Sequence, residues 1–196
     1  VLQGYVEQAG GEPILLGIVG DKKRRLRKAI AAGLDADILL ITGGVSVGKY
    51  DLVGETLQKL GVQVRFWRVN IKPGKPLLFG TFKKTLVFGL PGNPVSTGVT
   101  FLQFVRPALF TMLGRSVRQP MRLPAILDEP LTKHDSKRHY VRGIAVLSNG
   151  ALHVTTTGSQ SSGMVSSLAK ANCLIVIPEA IRSLRKGSTV EVEFLE

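Results

Sequence analysis

Cysteine is nearly absent: Cys173 is the only one in 196 residues, so no disulfide can close within the chain. Set inside the apolar run Cys173 to Ile177, it reads as a small core residue rather than a nucleophile. The three histidines, His134, His139 and His153, show no zinc-ligand spacing. No apolar stretch approaches the roughly 18 residues that span a membrane, and no secretory leader opens the sequence. A cytosolic location without a membrane partner is therefore the expectation. Acidic residues are scarce, 14 against 26 lysines and arginines, which leaves a net charge of +12. Aromatics make up only 6% of the chain, and the densest basic run, Lys22 to Lys28, has none interleaved, which argues against a nucleic-acid reader. The charge suits instead a solvated surface that favours small anions.

An initial methionine is missing as well. Val1 precedes a helical pattern, Leu2, Tyr5, Val6 and Ala9, that stops at Gly10-Gly11. A domain seldom opens on a bare helix feeding a strand, so the chain reads as a piece from which an N-terminal part has been cut.

What is present alternates in type. Ile14 to Val19 is a β-rich run, Lys22 to Ala32 an amphipathic helix, and Asp37 to Ile41 a second strand. Thr42 to Asp51, T-G-G-V-S-V-G-K-Y-D, leads into a helix from Leu52 to Leu60. Val62 to Val69 reads as a strand, and Ile71 to Pro76, I-K-P-G-K-P, as a rigid loop. A hairpin-like pair, Leu77 to Phe79 and Leu86 to Phe88, precedes Gly89 to Ser96, G-L-P-G-N-P-V-S, which opens an apolar helix from Val95 to Leu113. This succession predicts an α/β domain over residues 1–117, a mostly parallel open sheet with helices on both faces. Beyond Pro120 and Pro124 come short strands at Arg122 to Leu127, Tyr140 to Leu147, Ala151 to Thr155, Cys173 to Ile177 and Val190 to Leu195. Asn149-Gly150 between two of them signals a tight hairpin, so residues 118–196 are expected to form a small all-β barrel or sandwich.

In an open parallel sheet, ligands bind where loops leave the carboxyl ends of the strands. Gly20-Asp21, Thr42 to Asp51 and Gly89 to Ser96 qualify and are expected to converge. Neither glycine-rich loop has the G-x-G-x-x-G or G-x-x-x-x-G-K-[ST] spacing, so a dinucleotide site or a P-loop is not supported. Glycine turns at helix starts, with the stiffly held Lys72 and Lys75, point to an anion site. Asn93 and Pro94 also suit an ordinary helix start. Asp21 and Asp51 end two of the loops and could hold Mg²⁺ against a phosphate, or simply cap helices. In the second domain Thr155 to Ser162, T-T-T-G-S-Q-S-S, is hydroxyl-rich, with Lys137, Arg138 and Arg142 upstream around Tyr140.

Four ordered motifs, T-G-G-V-S-V-G-x-x-D, K-P-G-K-P, G-L-P-G-N-P-V-S and T-T-G-x-Q-x-S, together resemble the molybdenum insertion enzymes of molybdenum cofactor synthesis: bacterial MoeA and its plant and gephyrin E-domain relatives. The resemblance covers nearly the whole chain, and the family's first two domains would lie before Val1. It implies a molybdopterin molybdenumtransferase that takes adenylylated molybdopterin and molybdate and releases AMP with Mg²⁺, as a homodimer. By motif match Asp21, Asp51, Lys72 and Lys75 are implied in catalysis, the two aspartates as metal ligands. Gly43, Gly44, Ser46, Gly48, Gly92, Asn93, Pro94 and Ser96 are implied at the pterin phosphate, and Arg138, Ser162 and Pro76 at molybdate. Ser159 stands where the family commonly has His, and Lys137 is an alternative to Arg138. A molybdopterin adenylyltransferase and a gephyrin-like scaffold are the rival readings, and the fragment alone is expected to be inactive.

Overall fold

The computed structural model describes residues 1–20, 22–45, 52–115 and 120–195. Its contacts divide the chain into one unit of Val1–Val69 with Gly74–Arg115 and another of Asn70–Pro73 with Ser116–Glu196. The helices and strands of the first are α1 Leu2–Gln8, α2 Lys23–Gly33, β1 Ile38–Thr42, α3 Leu52–Lys59 and β2 Gln63–Trp67. A short strand of the second unit, β3 Ile71–Lys72, interrupts them in sequence. The first unit then resumes with β4 Leu78–Phe82, β5 Thr85–Leu90, α4 Pro94–Thr100 and α5 Arg106–Met112.

The sheet of the first unit runs β1-β5-β4-β2. β1 and β5 are parallel, as the crossover pattern requires, while β4–β5 and β2–β4 are antiparallel. Leu26 and Ile30 of α2 and its C-cap Leu34, spaced four residues apart, pack with Val53 and Leu57 of α3, with Leu60 just beyond it, and with Leu39, Val87 and Leu78 on one face of the sheet. On the other face, register places Leu40, Phe88, Phe79 and Phe66 in one row. The Phe79 ring lies 5.4 Å from Phe66 and 4.9 Å from Phe88.

Between α4 and α5 the helix loosens into one π turn, Phe101–Val105, closed by the Arg106 N–H on the Phe101 carbonyl. Pro107, just beyond, has no N–H to return to Gln103, which favours the wider turn here.

The β-rich run Ile14 to Val19 forms no strand, and Ile14, Leu15, Leu16 and Ile18 are exposed. Strand propensity makes a strand only where a ladder partner exists, and among the described residues none pairs with this segment. No helix among the described residues is long and apolar enough to cross a membrane.

The second unit holds β6 Arg122–Leu127, β7 Leu131–Thr132, β8 Arg138–Ser148, β9 Ala151–Thr156, α6 Val165–Lys170, β10 Cys173–Ile177, β11 Ser183–Leu184 and β12 Thr189–Phe194. The pairings β8–β10, β10–β12, β12–β6, β6–β9 and β9–β8 close a ring, so this is a barrel rather than a sandwich. Asn149 and Gly150 take φ of 50° and 77°, the tight hairpin turn expected between β8 and β9. Alternation points Val141, Ala145, Val154, Cys173, Ile175 and Val192 into the core. Cys173 is fully buried and its thiol is pushed up to about 11 by burial, in keeping with a packing role. β3 joins the sheet beside β8, pairing Ile71 with Arg138 and Lys72 with His139.

Candidate functional site

In the first unit a cleft of about 240 Å³ is lined by Gly43, Gly44, Val45, Pro76, Pro91, Gly92, Asn93 and Ser96. Six of the residues expected at the site thus meet there: Gly43, Gly44, Pro76, Gly92, Asn93 and Ser96. The parallel pairing of β1 and β5 is the cause, because it brings both exit loops to one end of the sheet. The Gly43 N–H donates to the Leu90 carbonyl at 3.1 Å, and a Cβ on Gly92 would stand 3.3 Å from the Gly43 Cα. The two loops touch backbone to backbone, which side chains would prevent. Gly43 and Gly44 hold φ of 80° and 69°, a conformation L-residues rarely adopt.

Asn93 caps α4 with its backbone, and its carbonyl accepts from the Thr97 N–H at 2.8 Å. Its side chain caps nothing: the buried Oδ1 has no hydrogen-bond partner among the described residues. A buried acceptor left open beside a cleft suits a bound donor group. Pro94 sits at the first turn of α4, outside the lining. Asp21, Ser46, Gly48 and Asp51 lie outside the described residues. Among the described residues no group of three His, Cys, Asp or Glu could hold a metal ion.

Lys72 and Lys75 part company. Lys75 belongs to the first unit, where its carbonyl accepts from the Val69 and Leu77 N–H groups at 3.0 Å each. Lys72, in β3, lies in the second unit with its ammonium 3.5 Å from Asp135. Asp135 also pairs with Lys137 at 3.2 Å and accepts from His139 Nε2 at 2.8 Å. Nearby, Lys133 is buried and donates to the Lys137, Pro178 and Glu179 carbonyls.

Burial raises the Asp135 carboxyl, but hydrogen bonds from His139, the Lys137 N–H and the Lys137 ammonium outweigh it, holding the group well below the usual carboxylate range. A depressed folded value contributes stability above the unfolded value of about 3.9, and the contribution drains away as pH falls below that. Asp135→Asn is therefore expected to lower the melting temperature near neutrality and to flatten its decline below about pH 4, measured by thermal unfolding across pH.

Two arginines of β8, Arg138 and Arg142, differ in their surroundings. Arg138 Nη2 pairs with Glu179 at 3.3 Å, and its buried Nε has no partner among the described residues. Arg142, four residues further along β8, is the residue that meets the loop. It is 1% exposed; Nε donates to Ser167 Oγ at 3.1 Å, and Nη2 to the Ser161 and Ser159 carbonyls at 3.1 and 3.4 Å. Gln160 clasps its backbone, accepting from the Arg142 N–H at 2.9 Å and donating to the Arg142 carbonyl at 3.2 Å. Burial pushes the guanidinium down, and among the described residues no carboxylate pairs with it. Ser162 follows directly and is half-buried. An arginine inside the apolar run Tyr140 to Leu147 was the available signal, since a buried strand tolerates a charge only where something answers it.

The sequence matches the family described as "Probable molybdopterin binding domain" over residues 1–111 and "MoeA C-terminal region (domain IV)" over residues 124–195. It is 38% identical over 191 residues to the molybdopterin molybdenumtransferase of Haemophilus influenzae, covering 96% of this chain and 47% of that one. It is 39% identical over 202 residues to gephyrin of Dictyostelium discoideum, covering 90% and 28%. The solved molybdopterin biosynthesis moea protein from Pyrococcus horikosii superposes with a TM-score of 0.81 at 30% identity, over 100% of this chain and 46% of that one. The chain spans about half the length of the molybdenumtransferases it matches. Two family matches in order, carried by the glycine loops in one unit and the barrel in the other, make this chain a member of the MoeA family.

Proposed function

We propose that this chain supplies the pterin-binding part of a molybdopterin molybdenumtransferase, which inserts molybdate into adenylylated molybdopterin and releases AMP. The observation that carries the reading is the cleft where Gly43 and Gly92 meet backbone to backbone beside the open Asn93 Oδ1. Backbone N–H groups in glycine turns can face a phosphate without side chains intervening, and Asn93 offers an acceptor to a pterin N–H. In this reading Gly43, Gly44, Ser46, Gly48, Gly92, Asn93, Pro94 and Ser96 surround the pterin phosphate, and Lys72 and Lys75 neutralise oxyanion charge.

The same reading carries Arg138, Ser162 and Pro76 as the molybdate residues. The buried Arg138 Nε has no partner among the described residues, and such an N–H is one an oxyanion would satisfy. Mg²⁺ belongs to the same proposal through Asp21 and Asp51 alone; when bound it would neutralise charge on the phosphate oxygens. Working boundaries of 1–117 and 118–196, a cytosolic setting and a homodimer complete it. The match to the MoeA C-terminal region favours this reading over a molybdopterin adenylyltransferase.

The test is molybdate-dependent AMP release from adenylylated molybdopterin by the full-length protein. Release that saturates with molybdate is expected. No release under saturating molybdate and Mg²⁺ would overturn the proposal.

A further inference from the structure

One end of the four-stranded sheet is a row of register partners, Ile41, Gly89, Leu78 and Trp67, one from each strand. Trp67 reaches this row through a bulge. Val64 pairs with Gly80 and Phe66 with Phe79, so the register shifts between them and Arg65 is an extra residue. Unbroken alternation would turn Trp67, three residues on, to the face opposite Val64; the bulge puts both on the face of Leu78.

The glycine loop that leaves β1 turns back across this row. Val45 is 1% exposed, and its side chain fills the space above Gly89, where a Cβ would stand 2.6 Å from Val45 Cγ1. From the far strand, Trp67 Nε1 donates to the Val45 carbonyl at 3.1 Å. The loop is thus fixed at one end by the Gly43 N–H on Leu90 and at the other by the indole.

We infer that Trp67 is a positioning residue of the cleft: its N–H holds the Gly43–Val45 wall in the form that binds substrate. Trp67 is not among the lining residues and is 39% exposed, so it acts through Val45. Removing the N–H takes from the Val45 carbonyl its donor among the described residues, and the loop regains alternative conformations that the ligand must then select against. The inference rests on the reading of this cleft as the pterin phosphate site.

Trp67→Phe keeps most of the ring and deletes the donor. In the full-length protein it is expected to raise KM for adenylylated molybdopterin about tenfold while kcat stays within about twofold, because binding geometry and not chemistry is lost. Amide exchange at Gly44 and Val45 should quicken by a similar factor while amides of β5 keep their protection. Unchanged KM and unchanged loop exchange would overturn the inference. So would a uniform loss of protection across the sheet, which marks a merely structural role.

Gly92→Val, which fills the cleft, separates this from failure of the underlying reading. If that variant also binds substrate normally, the cleft is not the pterin site. If it abolishes binding and Trp67→Phe does not weaken it, only the indole's role falls. The same indole, the only tryptophan of the sequence given, should change its fluorescence saturably with substrate, read as the difference between wild type and Trp67→Phe.

Discussion

Arg138→Met in the full-length protein should reduce molybdate-dependent AMP release by a factor on the order of 10² to 10³, the usual consequence of deleting one oxyanion donor. The fold should not suffer in proportion, because the substitution breaks only the half-exposed pair with Glu179. Arg138→Lys keeps a charge but not the planar fork, and should recover little activity. Arg142→Met has the opposite emphasis. Arg142 is buried, and its guanidinium holds Ser167 and the Ser159 and Ser161 carbonyls, so its loss should lower the melting temperature. Activity kept in Arg138→Met would overturn the assignment.

Gly89→Ala should destabilise the first unit and weaken its cleft together. The added Cβ would lie 2.6 Å from Val45 Cγ1 and 3.2 Å from Leu78 Cβ, so Val45 must leave its place over the sheet. Overpacking of this kind costs about 1–3 kcal/mol. In a unit of this size that corresponds to roughly 5–15 °C in melting temperature. Because Val45 is also a wall of the cleft, substrate affinity should fall with it. Pairing the change with Val45→Ala removes the obstructing methyls, so the double variant should regain most of the lost stability without regaining affinity. Thermal unfolding of the two singles and the double gives the coupling directly; simple additivity would show that the clash is not the cause.

Much of this was legible in the residues. The barrel strands announced themselves by alternation and by Asn149-Gly150, and the cleft by two glycine turns at the ends of strands now seen to be parallel neighbours. Three things were not legible, for related reasons. Ile14 to Val19 has the composition of a strand, but a strand is a partnership and composition describes one partner. Trp67 looked like part of an alternating run, and one extra residue at Arg65 reversed its face. Arg138 and Arg142 lie on one side of β8, and only the folding of the following loop back over the strand decides which of them it touches. Each concerns a choice made by non-local contact, where local pattern leaves two answers open.

The short strand β3 sets a limit on how the molecule can be divided. The barrel borrows Asn70–Pro73 from within the sequence of the other unit, so its parts are not consecutive. A piece beginning at residue 118 would carry every strand of the ring yet lack the neighbour of Arg138 and His139 on β8. It would also leave Asp135 without Lys72. An unpaired strand margin of that kind invites association with other chains. The gene segment and the folding unit are here different objects, and a truncation that respects the first will expose a seam in the second.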